Sequence, residues 1–128
     1  MHRSRIGVVL VDHPAEDWDA GLAFWAGVQG VTPEQDEADS PEYRSLGSVG
    51  SASLASQRTG PGTPPRVHLD IETDDVAAEV ARVLALGATV LEAREEYSIL
   101  RDPAGLVFCV VPVQTGEAFE REALTWDA

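Results

Sequence analysis

Thr59-Gly-Pro-Gly-Thr-Pro-Pro65 lies close to the midpoint of the chain and is its strongest loop signal. Its prolines fix φ and withhold backbone donors, and its glycines open turn conformations, so neither a helix nor a strand runs through it. Working outward, the same order of elements is read on both sides. Downstream come a strand over 66–72, an acidic cap at Asp74-Asp75, and a helix with Val76, Val80, Val83 and Leu84 on one face, stopped by Gly87. Strands follow over 88–93, 97–100 and 106–111, the last two joined by the turn Arg101-Asp-Pro-Ala-Gly105. Upstream, a strand over 6–11 ends in Asp12-His13-Pro14. A helix over 15–28 then carries Trp18, Leu22 and Trp25 on one stripe, is weakened by Gly21, and is closed by Gly30. The acidic stretch 31–41 reads as an exposed connection, followed by strands over 42–46 and 51–57. The pattern predicts an α+β fold of two βαβββ modules, 5–58 and 66–113, in a single domain of residues 1–128 with a tail at 114–128.

A chain of 128 residues suits one hydrophobic core. Nine Arg, no Lys and 22 acidic residues give a net charge of −13, which repels phosphate backbones and anionic lipid, so neither nucleic acid nor a membrane is expected as a partner. Cys109 is the single cysteine, which excludes an intramolecular disulfide and fits a reducing, cytoplasmic setting. The apolar run near the N-terminus is too short for a signal sequence or a membrane span and reads as a strand.

In an extended strand alternate residues share a face, so His68, Asp70 and Glu72 point one way and Val67, Leu69 and Ile71 the other. Three ionisable groups on one face of a central strand are costly unless they are paired or functional. His68 beside a carboxylate has the make-up of an oriented acid or base, which marks His68 and Asp70 as catalytic candidates. The competing reading is structural: the two satisfy each other, or Asp70 pairs with Arg66. Cys109, among Val107, Phe108, Val110 and Val111, reads first as a small buried hydrophobe, with His68 as the one cation that would activate it. His13 reads as an exposed turn residue, and Phe24 and Trp25 as helix-to-sheet core.

The segments Val11-Asp-His-Pro-Ala-Glu-Asp-Trp-Asp-Ala-Gly-Leu-Ala-Phe-Trp25, Arg66-Val-His-Leu-Asp70, Ala78-Glu-Val-Ala-Arg82 with Leu86-Gly-Ala88, and Arg101-Asp-Pro-Ala-Gly105 with Phe108-Cys109 resemble the glyoxalase/bleomycin resistance/dioxygenase, or vicinal oxygen chelate, superfamily. The nearest likeness is to glyoxalase-like proteins of actinobacterial type. The resemblance implies that the two modules form a cupped, barrel-like mixed sheet with helices outside, and that copies pair as a homodimer. It also implies four inward positions that hold a metal in the metalloenzymes. Here they fall on Ile6, about Leu54, His68 and Cys109, two of which are aliphatic, so the full metal site is missing and no metal cofactor is expected.

The function expected from these readings is binding of a small organic molecule by Ile6, Val8, Leu54, His68, Asp70, Glu72 and Cys109, a largely apolar lining with few polar contacts. Whether the chain is an enzyme stays open. One alternative is a metal-independent isomerase or lyase using His68 and Asp70. The other is a divalent-metal glyoxalase or dioxygenase with ligands from His13, Glu42 or Glu72.

Overall fold

The computed structural model of the protein describes residues 1–35 and 41–127. Its α+β character is as expected, and it divides into two compact units, Val9–Val67 and Met1–Val8 with His68–Ala128. The first strand, β1 (His2–Pro14), is longer than the sequence suggests and contributes to both units.

The unit Val9–Val67 contains the later part of β1, a single 3-10 turn at Ala15–Asp17, α1 (Trp18–Gln29), β2 (Glu34–Gln35), β3 (Tyr43–Val49) and β4 (Ala52–Thr59). Its strands run in the order β2, β3, β4, β1. The third strand of this module, not seen in the sequence, is the pair Glu34–Gln35, opposite Ser45 and Arg44. The rest of the connection up to Pro41 falls largely outside the described residues. Ala26, Leu46 and Leu54 form a core with Val9, Val11 and Leu22 packed against it. The buried stripe of α1 therefore runs Trp18, Leu22, Ala26. Phe24 and Trp25, expected in the core, stand 62% and 36% exposed instead. Both i+7 and i+8 lie near a stripe begun at Trp18, and the smaller side chain fits beneath the helix. Gly21 has a packing reason: a Cβ there would lie 2.6 Å from the His13 imidazole, which is half-buried against the helix rather than exposed in a turn. Gly30, at φ 69°, closes α1 as expected.

The other unit holds the start of β1, β5 (Arg66–Thr73), α2 (Val76–Ala85), β6 (Thr89–Ala93), β7 (Ser98–Arg101), β8 (Val107–Pro112), α3 (Glu117–Glu122) and β9 (Leu124–Trp126). Its strands follow the order β1, β5, β8, β7, β6, with β5 and β8 parallel and β7 antiparallel to both neighbours. Asp75 caps α2 by accepting from the Ala78 amide at 3.0 Å. Asp74, read as sharing that cap, bonds Arg3 instead. Val83, Leu100, Phe108 and Val110 form the core, with Leu69, Ile71, Val76 and Val80 packed on it. Leu84, placed on this face by the sequence, is 41% exposed. The tail is ordered: β9 pairs with His2, Arg3 and Ser4 of β1, Phe119 is fully buried, and the Trp126 indole donates to Ser4 Oγ at 2.9 Å.

Glu72 locks this unit together. Its carboxylate is fully buried and accepts from Arg5 Nε at 2.8 Å, from the backbone amides of Gln114 and Thr115, and from the Thr115 hydroxyl. Gly7 is required beside it, because a Cβ at residue 7 would collide with the Glu72 carboxylate. Burial pushes the Glu72 carboxyl up, but Arg5 and the hydrogen bonds from Thr115 and Gln114 outweigh it and hold the group below its ordinary value of 4.5. A depressed folded value means that the stabilisation is present above that ordinary value and is lost as pH falls through the folded one. Glu72→Ala should cost ~3–5 kcal/mol at neutral pH, the range for breaking one partner of a buried pair. Glu72→Gln should cost less and flatten the acid limb of stability. Denaturant unfolding of both variants from neutral to acidic pH checks this; an acid limb unchanged from the parent would contradict it.

Candidate functional site

The alternation read from β5 is present in three dimensions. Leu69 and Ile71 pack on the α2 side, so His68, Asp70 and Glu72 occupy the opposite face. On β8, Phe108 and Val110 belong to the same core, which turns Cys109 to the face of His68. The parallel register sets Asp70 directly opposite Cys109, and Ile99 of β7 lies opposite Cys109 on its other side.

Three of the expected site residues therefore converge. His68 Nε2 lies 3.2 Å from Cys109 Sγ and 3.3 Å from Asp70 Oδ1. One ligand atom from each residue falls within 4.8 Å of the other two. The cluster is largely enclosed: His68 is 7% and Cys109 8% exposed. Burial pushes the His68 pKa down, but its hydrogen bonds and electrostatic interactions with Asp70 and Cys109 overcome this and raise it from 6.5 to about 9. With that value the ring is an imidazolium at neutral pH, its Nε2 within reach of both the sulfur and the carboxylate.

The remaining expected residues are elsewhere. Glu72 shares the face of His68, but its carboxylate is engaged by Arg5, Gln114 and Thr115. Ile6 is half-exposed and lines a cavity of about 170 Å³ with Leu69, Ile71, Leu106, Phe108 and the turn residue Asp102. That cavity opens on the α2 side of the sheet, across from His68, and a one-residue difference in register accounts for the change of face. Val8 is buried, and Leu54 belongs to the core beneath α1. Arg66, the cation considered for Asp70, reaches Asp12 at 3.4 Å. The residues that sequence reasoning missed are Arg5 and Thr115, the partners of Glu72. A strand begun at His2 rather than residue 6 would have shown Arg5 on the face it needs.

The divalent centre implied by the resemblance does not fit these residues. Ile6 and Leu54 carry no donor atoms and are used in apolar packing, and Glu72 is committed to an ion pair.

Comparison with known proteins agrees with this architecture. The model of the glyoxalase-like domain matches residues 8–111. Among solved structures, a glyoxalase/bleomycin resistance protein/dioxygenase superfamily member from Vibrio splendidus is similar, with 13% identity and a TM-score of 0.51 over 88% of this chain and 100% of that one. A hypothetical protein from Bacillus halodurans gives 11% identity and a TM-score of 0.57 over 87% and 95%. The 2,2',3-trihydroxybiphenyl 1,2-dioxygenase of Sphingomonas wittichii gives 16% and 0.55, covering 88% of this chain and 41% of that one. At these identities the likeness is one of fold. No curated protein matches the sequence significantly.

The clustered geometry makes a spectroscopic prediction. In chelator-treated protein, the His68 imidazole followed by NMR should titrate near 9, and Asp70→Asn should move it back toward 6.5. Titration near 6.5 in the parent would contradict the arrangement.

Proposed function

The chain belongs to the glyoxalase-like domain family, and we propose that within it the protein binds a small organic molecule on the face of β5 and β8 that carries His68, Asp70 and Cys109. The observation that carries this reading is the convergence of those three polar groups on one face of the sheet, from β5 and β8, while the other positions expected to hold a metal are apolar. A ligand there would meet a charged donor, a carboxylate and a thiol beside aliphatic neighbours such as Ile99 and Val111, the mixture of few polar and many apolar contacts common to small-molecule sites. The net charge of −13 favours a cationic or neutral ligand over an anionic one. Ile6 lines the apolar cavity, Val8 is buried and Leu54 packs in the core beneath α1, so none of the three is assigned to the ligand.

The isomerase or lyase alternative asks His68 to accept a proton near neutral pH. The raised pKa weighs against a base and leaves His68 a charged hydrogen-bond donor. The reading includes a homodimer, for which the exposed Phe24, Trp25 and Val28 of α1 offer an apolar surface. It also includes a reducing compartment that keeps Cys109 a thiol. Among the described residues no helix is long and apolar enough to cross a membrane.

Calorimetric titration of a panel of aromatic and cationic compounds against chelator-treated protein tests the proposal. At least one compound should bind in the micromolar range, and His68→Gln and Asp70→Asn should each weaken it by about tenfold, the loss of one buried hydrogen bond to a charged group. Affinities unchanged in both variants would overturn the assignment of the face.

A further inference from the structure

Sulfur, nitrogen and oxygen donors seldom converge in a core without a reason, and the spacing of this trio is informative. A four-coordinate ion with metal–nitrogen, metal–sulfur and metal–oxygen bonds of about 2.0–2.3 Å separates its donor atoms by roughly 3.4–3.6 Å. In the protein the nitrogen lies 3.2 Å from the sulfur and 3.3 Å from the carboxylate oxygen. The three donor atoms all lie within 4.8 Å of one another, so modest side-chain adjustments would bring them to ligating distance of one ion. All three come from adjacent parallel strands of one unit, with Asp70 and Cys109 in direct register, so the backbone already fixes their separation.

We infer that His68, Asp70 and Cys109 form a three-donor site for a thiophilic divalent cation such as zinc or cadmium, held within a single βαβββ module. Charge supports it. A thiolate, a carboxylate and a neutral imidazole around a divalent ion sum to zero, which suits an enclosed site better than an uncompensated charge. Donor type sets the selectivity: thiolate and imidazole favour zinc-like ions, and one carboxylate oxygen is too little for magnesium or calcium, which need six or more oxygen ligands. The site differs from the four-position arrangement implied by the resemblance. It requires nothing of Ile6 or Leu54 and recruits Asp70, which the alignment of ligand positions did not include. The fourth coordination position is left for water or a small ligand.

The test titrates the metals alone. Chelator-treated protein is mixed with cadmium or zinc and followed by native mass spectrometry and by the ultraviolet cadmium–thiolate charge-transfer band. One equivalent should bind, the band should saturate at that ratio, and excess magnesium should not displace it. Cys109→Ser should abolish the band, and His68→Gln and Asp70→Asn should weaken binding by roughly 100-fold, the upper end of what even the loss of a residue that only orients a metal ligand costs. Circular dichroism confirms that each variant is folded. If Cys109→Ser proves unfolded, cadmium protection of Cys109 in the parent from alkylation supplies the same reading. Absence of the band, absence of protection, or equal metal affinity in the folded variants would overturn the inference. Since no organic compound is present, failure here is distinguishable from failure of the ligand-binding reading.

Discussion

A buried carboxylate organises the unit that carries the candidate site. Glu72 has no exposed surface, and it is stabilised by the Arg5 guanidinium, by two backbone amides and by a hydroxyl from the segment that follows β8. Such a group is expensive to desolvate and stabilising only when its acceptor positions are filled. Here they are filled from two distant parts of the chain, Arg5 on β1 and the Gln114-Thr115 pair after β8. The interaction thereby fixes the start of β1 against β5 and returns the chain after β8 toward them. Once β5 is held in this register, the facing of every other residue on it follows, including His68 and Asp70.

The consequence is a strand with two distinct faces. Leu69 and Ile71 join the core under α2, and the opposite face gathers His68, Asp70 and Cys109. The cluster is internally complementary: a cationic ring between an acidic side chain and a sulfur. That explains how ionisable groups persist there without a surface to solvate them. The same complementarity makes the cluster responsive, because a ligand donor or a metal ion meets donors that are already assembled.

Much of this was legible in the sequence. The midpoint loop and the repeated order of strand, helix and glycine stop gave the two modules, and period-two alternation over 66–72 gave the polar face. The local chemistry of Asp75 and Gly30 gave the helix limits. What was not legible had physical causes. The start of β1 carries His2, Arg3 and Arg5, polar residues that read as a flank until Glu79 is seen to bond His2 and Glu72 to bond Arg5. The face of Ile6 depends on pairing register, which an isolated strand does not encode. Trp25 and Ala26 are both plausible members of the α1 stripe, and only packing against Leu46 and Leu54 selects the smaller. In the tail, α3 and β9 are too short to show a period.

The central claim is that recognition takes place on the His68 face of the sheet, not in the apolar cavity on the other side. Backbone amide chemical-shift mapping with any bound compound decides between them. The account predicts that the largest shifts fall on His68, Asp70, Ile99 and Cys109. Shifts concentrated on Ile6, Leu69, Ile71 and Leu106 would contradict it and move the site to the cavity beside α2.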